Sequence, residues 1–183
     1  MSLDGKICLV TGAAGVTGEA IARRFAGLGC RVILVDLLED RLVSLAGEIG
    51  SAAYPLAMDI SSAQNVRAGL EALPAEWRSV DILVNNAGIL SNNKAVATDP
   101  DEWRKVLSVN LDGAFYLARA CLPEMRKKGW GRIINMCSLA MKTGGLTAGT
   151  AYTVSKSALG GLTFSLARET ARDGITVNGI APA

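Results

Sequence analysis

Short aliphatic runs recur along the chain, separated by longer stretches in which apolar residues return every three or four positions. The runs are Lys6–Val10, Arg31–Val35, Ala53–Met58, Val80–Val84, Arg132–Met136 and Ile175–Ile180. Most are continuous rather than alternating, the pattern of strands covered on both faces in a parallel sheet between helices. The helical stretches fall near residues 17–28, 39–49, 62–73, 101–109, 112–128 and 152–172. Repeated strand–helix units with right-handed crossovers predict an α/β fold, a Rossmann-type doubly wound parallel sheet with helices on both faces. No linker, repeat or low-complexity tract interrupts the pattern, so residues 1–183 are expected to form one domain.

Two helical stretches carry more apolar surface than the others. Over 112–128, Phe115, Ala118, Leu122 and Met125 predict one apolar face, with Leu117, Ala120, Cys121 and Glu124 around the side. Over 152–172, Leu159, Leu162 and Leu166 make one stripe; Val154, Ala158, Gly161 and Ser165 make a second, flatter one. A helix apolar on two sides needs two partners. The sheet is one. The other is either a second subunit or further cover within the same fold.

Composition narrows the function classes. Half the residues are apolar and aromatics are 5%, which suits buried aliphatic strands and excludes a disordered chain or a disulfide scaffold. The 19 basic and 17 acidic residues are interspersed, so no nucleic-acid footprint is expected. Cys8, Cys30, Cys121 and Cys137 form no CxxC pair, and three lie in or beside apolar runs, pointing to a reducing, cytoplasmic setting. The opening MSLDGKICLV has too short an apolar run for a signal peptide, and no stretch is long enough to span a bilayer. Histidine is absent, which excludes a His-dependent triad and a His-ligated zinc site; no metal is expected.

Thr11-Gly12-Ala13-Ala14-Gly15-Val16-Thr17-Gly18 follows the first run and opens the first helix. Glycines at 12, 15 and 18 permit a tight turn, close approach to a pyrophosphate and close helix–strand packing. The free N–H groups and dipole of the helix start favour a phosphate there. Asp36 ends the second run, 24 residues after Gly12, near the ~20-residue offset of an acid that holds a ribose 2′-hydroxyl. A carboxylate repels a 2′-phosphate, and neither Gly15 nor Leu37 offers a cation to attract one, so NAD(H) is expected over NADP(H). The competing reading makes Asp36 a helix cap.

Tyr152-Thr153-Val154-Ser155-Lys156 puts a phenol and an ammonium at i and i+4, on one helix face and about 6 Å apart along the axis. A free phenol ionises near ~10; a neighbouring ammonium and an oxidised nicotinamide both favour the phenolate. Such a tyrosine can take an alcohol proton as hydride leaves, or return it in reduction.

With the Gly12–Gly18 turn, these residues are joined by Asp59-Ile60, Asn85-Asn86-Ala87-Gly88, Val109-Asn110, Ser138 and Val177-Asn178-Gly179-Ile180-Ala181-Pro182. In that order, each at a strand end or helix position, they resemble the short-chain dehydrogenase/reductase family over the whole chain. The resemblance implies hydride transfer between a nicotinamide cofactor and a small alcohol or ketone. It implies Tyr152 as acid/base, and Lys156 as the group that favours its phenolate and holds the nicotinamide ribose. Ser138 would hydrogen-bond the substrate oxygen, and Asn110 would hold a water linking Lys156 to solvent. Cofactor contacts would come from Gly12, Ala14, Gly15, Val16, Thr17, Gly18, Asp36, Asp59, Ile60, Asn86, Ala87, Gly88 and Pro182, besides Tyr152 and Lys156. Singly, each has a plainer reading: Ser138 satisfying a turn, Asn110 capping a helix near Leu111, Asn85-Asn86 an ordinary loop.

Three features depart from the family pattern. The short branch usually has Gly-x-x-x-Gly-x-Gly, which would place glycine at Val16, so Val16 is expected to crowd the pyrophosphate. Ala183 stands where glycine usually follows Pro182. Family members also continue into a substrate-covering segment that closes the site and joins the homodimer or homotetramer interface. That C-terminal part is expected to be absent here, leaving the run 175–180 as an uncovered sheet edge. Two other functions compete with hydride transfer: a catalytically impaired dinucleotide-binding module, and a Ser138–Lys156 hydrolase. The latter has no GxSxG elbow to support it.

Overall fold

The computed structural model describes residues 2–182. Its six strands are β1 (Ile7–Thr11), β2 (Arg31–Asp36), β3 (Ala53–Ala57), β4 (Ile82–Asn85), β5 (Gly131–Met136) and β6 (Ile175–Ile180). They form one sheet in the order β3-β2-β1-β4-β5-β6, every pairing parallel. The doubly wound sheet expected from the runs is therefore present. The largest offset is at the fourth run, where the strand begins at Ile82 and not Val80. β1, β2 and β4 are buried nearly throughout, as continuous apolar runs require. β3 and β6 are the two sheet edges. Pro55 is tolerated in β3 because an edge strand leaves one side without ladder partners.

The helices are α1 (Val16–Ala26), α2 (Glu39–Ile49), α3 (Ala63–Ala72), α4 (Pro100–Leu107), α5 (Gly113–Lys128), α6 (Ala140–Thr143) and α7 (Thr150–Thr170). One core layer packs Cys8, Val10, Val32, Leu34 and Val84 against Ala22, Leu42 and Leu45 of α1 and α2. The other packs Leu9, Ile33, Leu83 and Ile133 against Val66, Leu117, Cys121, Met125 and Leu166 of α3, α5 and α7.

Two sequence expectations are corrected, and one alternative left open is narrowed. The stretches 101–109 and 112–128 are not separate helices: α4 runs into α5 through a π turn at Ser108–Asp112. Phe115 is 43% exposed, whereas Leu117 and Cys121 are core; at about 100° per residue, Phe115 sits at the margin of the stripe centred on Leu117, Ala118, Cys121, Leu122 and Met125. The second stripe of α7 is left largely uncovered by the described residues. Val154, Gly161 and Ser165 are exposed, and so is Phe164 beside them. α7 itself begins at Thr150, two residues before the expected start, and ends at Thr170. Ala183 lies outside the described residues.

Candidate active site

The order β3-β2-β1-β4 reverses direction between β1 and β4, and ligands of such sheets bind beyond the carboxyl ends of the strands at that point. The turn after β1 and the loop after β4 meet there. Gly12 has φ +66, and a side chain on it would meet Asn86 Nδ2 at 2.9 Å. Thr11 ties the two strand ends together. Its hydroxyl oxygen accepts the Asn86 and Ala87 N–H groups at 3.0 and 2.9 Å and donates to the Val84 carbonyl at 3.3 Å. Asn86 Nδ2 donates back to the Thr11 carbonyl at 2.9 Å. Thr11 is 1% exposed, so these bonds are made away from competing water.

This clasp frames a cavity of about 320 Å³ lined by Gly12, Gly15, Val16, Thr17, Gly18, Asp36, Asn86, Ala87 and Gly88. Gly15, the residue before α1, offers no side-chain cap, so the first N–H groups of α1, which belong to the cavity-lining Val16, Thr17 and Gly18, have no side-chain acceptor there. A side chain at Gly15 would meet only the Gly12 carbonyl, at 3.4 Å. A pyrophosphate fits this backbone cradle and its dipole. Val16 lines the mouth and is 88% exposed.

Asp36 is not the helix cap of the competing reading: the residue before α2 is Leu38, and no side chain caps that helix. Asp36 Oδ1 accepts the Leu37 and Leu38 N–H groups at 2.8 and 3.3 Å and its Oδ2 accepts Ala14 N–H at 3.1 Å, while the carboxylate lines the cavity wall. Six expected cofactor contacts do not line that cavity: Tyr152 and Lys156, which stand beside it on α7, and Ala14, Asp59, Ile60 and Pro182. Ala14 is 3% exposed. Asp59 accepts from Ser61 N–H and Oγ at 2.9 and 2.7 Å. Ile60 is packed in the core beside Gly113. The Pro182 carbonyl accepts Leu139 N–H at 2.9 Å.

The Tyr–Lys pair stands on the first turns of α7. Lys156 Nζ lies 5.8 Å from the Tyr152 ring centre and donates to the Met136 carbonyl at the end of β5 at 2.7 Å. Lys156 is 4% exposed. Burial pushes its ammonium below the usual lysine range, opposed by Cys137. Gly88 separates it from Asn110: a side chain on Gly88 would meet Lys156 Nζ at 3.2 Å and Asn110 Oδ1 at 3.3 Å. Asn110 is not a helix cap. In the π turn, its Oδ1 accepts Ile89 N–H at 2.8 Å and its Nδ2 donates to the Ile89 carbonyl and to Ser155 Oγ, both at 3.0 Å. Ser155 Oγ in turn donates to the Tyr152 carbonyl at 2.7 Å. Ser138 Oγ accepts Ala140 N–H at 3.1 Å, which leaves its own proton to donate. No hydrogen bond joins Ser138 to Lys156 among the described residues, so the geometry does not favour the hydrolase reading.

Burial also pushes the Cys121 thiol up to about 12 and raises Cys8 and Cys137, against thiolate chemistry. Thr11 and Ser155 are the site residues that sequence reasoning passed over. Thr11 was visible as the residue fixing the strand end before Gly12. Ser155 had no signal beyond lying inside the Tyr–Lys interval. A larger cavity of about 590 Å³ between α3 and α5 shares no lining residue with the site.

The buried lysine makes a pH prediction. The unfolded chain keeps the Lys156 proton up to the ordinary value near ~10.5, whereas the folded protein gives it up earlier. In that window the unfolded state holds more protons, so stability rises with pH. The burial cost is fully present below the folded value and gone above the ordinary one. Lys156→Met removes that cost. The cofactor-free variant should therefore gain most in Tm, relative to the unsubstituted protein, near neutral pH, and the difference should shrink as pH approaches ~10.5. Melts across pH check this; a difference that does not change with pH would contradict it.

The family model described as short chain dehydrogenase matches residues 6–183. The chain is 39% identical over 183 residues to the 3-oxoacyl-(acyl-carrier-protein) reductase of Salmonella typhimurium, an alignment covering 100% of this chain and 74% of that protein. It superposes with a TM-score of 0.93 and 35% identity on the 3-ketoacyl-(acyl-carrier-protein) reductase of Brucella melitensis complexed with NADH, over 99% of this chain and 76% of that one. A metagenomic short-chain oxidoreductase in complex with NADP is equally similar in fold, with a TM-score of 0.93 and 36% identity over 100% of this chain and 84% of that one.

Proposed function

We propose, because the chain belongs to the short-chain dehydrogenase/reductase family, that it transfers a hydride between NAD(H) and the carbinol or carbonyl carbon of a small substrate, a 3-oxoacyl thioester first. The observation that carries this is the cradle between β1 and β4 beside the buried Lys156 and the Tyr152 ring. The bound nicotinamide supplies or accepts the hydride. The chain's own groups handle the proton. Tyr152 gives its hydroxyl proton to the substrate oxygen in reduction and takes it back in oxidation. Lys156, held by the Met136 carbonyl, stabilises the phenolate and would hold the ribose of the bound cofactor. Ser138 donates its free proton to the same substrate oxygen. Asn110 holds Ile89, and through Ser155 the first turn of α7, in register with them.

Residues 1–183 act in this reading as one dinucleotide-binding domain that also carries the catalytic groups. Exposed Phe115, Val154 and Phe164 on α5 and α7 are the surface a second copy would cover in a homodimer or homotetramer. Four unpaired, buried cysteines support a reducing, cytoplasmic setting.

NAD preference rests on Asp36 at the cavity wall. A 2′-phosphate brought within about 4 Å of that carboxylate meets a repulsion of about 1–4 kcal/mol per unit charge. NADH should bind at least about tenfold tighter than NADPH, and Asp36→Asn should close most of that gap. The test is a turnover screen of small alcohols, polyols and 3-oxoacyl thioesters with both cofactors, alongside titrations of each. NADH binding without turnover on any substrate would favour the impaired binding module. Tighter NADPH binding would overturn the NAD assignment alone.

A further inference from the structure

Tyr152 stands in the first turn of α7, and that turn is not capped in the ordinary way. Gly149, the residue before the helix, has no side chain to satisfy the first N–H groups. They go instead to a loop from another part of the chain. Gly149 N–H donates to the Ser91 carbonyl at 2.7 Å, and Thr150 N–H to the Asn93 carbonyl at 2.9 Å. The approach is so close that a side chain at Gly149 would lie 2.5 Å from the Asn93 carbonyl oxygen and 2.7 Å from that of Ser91. The height and tilt of the helix start are thus set by residues 91–93.

That loop has little apolar packing to hold it. Ser91 is buried, but residues 92–97 are all exposed. Thr98 Oγ1 donates to the Asn93 and Lys94 carbonyls at 3.0 and 3.1 Å from within the loop, and two charged side chains tie the loop to its neighbours. Glu102, on the first turns of α4, accepts the Ser91 hydroxyl on Oε1 and Asn93 Nδ2 on Oε2, the latter at 2.8 Å. Lys94 Nζ donates across to the Gly145 and Ala148 carbonyls at 2.6 and 2.7 Å. Those carbonyls belong to the segment that leads into Gly149. The Gly149 junction is therefore braced from α4 on one side and from the incoming chain on the other.

We propose that Lys94 and Glu102 are positioning residues for the reaction, which fix the Tyr152 hydroxyl relative to Ser138 and the bound substrate through the 91–93 to 149–150 junction. This rests on the hydride-transfer reading above. Neither residue touches the reacting atoms or lines the dinucleotide cavity. Loosening the junction should therefore misplace the acid/base without weakening cofactor binding. A displacement of about 1 Å at a reacting group is enough to cost up to about 10²-fold in rate.

The experiment compares Lys94→Met, Lys94→Arg and Glu102→Ala with the unsubstituted protein, by steady-state kinetics, NADH titration and hydrogen exchange of the peptide spanning 149–153. Lys94 is exposed, so its replacement is not expected to prevent folding. The expected result is a kcat about tenfold or more lower in Lys94→Met and Glu102→Ala, with the NADH Kd within about twofold and faster exchange at 149–153. Lys94→Arg, which keeps donors on the two carbonyls, should recover most of the rate. The proposal is overturned if kcat is unchanged although exchange quickens, or if exchange is unchanged, or if NADH affinity falls in step with kcat. If the unsubstituted protein turns over no substrate, the hydride-transfer reading fails by itself. Exchange at 149–153 then decides the bracing alone, faster exchange in Lys94→Met supporting it and unchanged exchange refuting it.

Discussion

Tyr152→Phe is expected to lower turnover by about 10²–10⁴-fold while NADH binding stays within about twofold. The ring remains to pack beside Lys156, whose ammonium lies 5.8 Å from its centre. Only the hydroxyl goes, and among the described residues no hydrogen bond uses it, so its loss orphans no buried partner. Ser155 and Asn110 engage the Tyr152 main chain and Ile89, not the phenol, so the first turn of α7 should hold its place. The variant thus separates proton transfer from cofactor binding. Turnover within about tenfold of the unsubstituted protein would mean that another group moves the proton.

Gly18→Ala should cause the largest loss of cofactor affinity and stability together. A methyl group at Gly18 would overlap the Gly12 carbonyl and lie 2.9 Å from Ala13 Cα. All of these are backbone atoms, which cannot rotate aside, so either the turn or α1 must shift. Forced overpacking of this kind costs about 3 kcal/mol, or a fall in Tm of about 6–12 °C for a chain of this size. The shift also pulls the Gly15 end of α1 away from the cradle, and NADH affinity should fall by more than about tenfold. Gly47 supplies the control. It lies within α2, and a side chain there meets nothing within 4 Å, so Gly47→Ala should leave binding unchanged and stabilise slightly. Equal melting and binding for Gly18→Ala and the unsubstituted protein would refute the packing argument.

The range of each contact along the chain decides how much of the fold and site is legible in the sequence. The sheet is readable because β1, β2 and β4 are buried on both faces, and short continuous aliphatic runs between helical stretches fit few places but the middle of a covered sheet. The glycine turn and the Tyr152/Lys156 pair are readable because their spacing is local, and Asp36 because it ends the run that follows; Asn110 enters only through the family resemblance. Contacts between residues distant in sequence are not. Thr11 bonding to Asn86 and Ala87, Asn110 to Ile89 and Ser155, and Lys94 to Gly145 and Ala148 each depend on where the chain returns. Lys94 and Glu102 look like ordinary surface charges until the loop they hold is seen against α7. The π turn escapes the sequence for a related reason: a single widened turn disturbs helical periodicity too briefly to stand out from a break between two helices.

That widened turn makes residue count as important as residue identity. An α-helix advances about 100° per residue, so the π turn at Ser108–Asp112 absorbs a residue that regular winding would have no room for. Deleting one residue there would let the winding become regular with α4 and α5 still in phase, and would remove the widened turn that presents Asn110 to Ile89 and Ser155. Asn110 would swing away from Ile89 and Ser155 even if every remaining side chain were unchanged. Most helix interiors in this fold would answer a conservative substitution with a small loss of packing. This stretch is also sensitive to length, and a one-residue gap here would unseat Asn110 as surely as changing it.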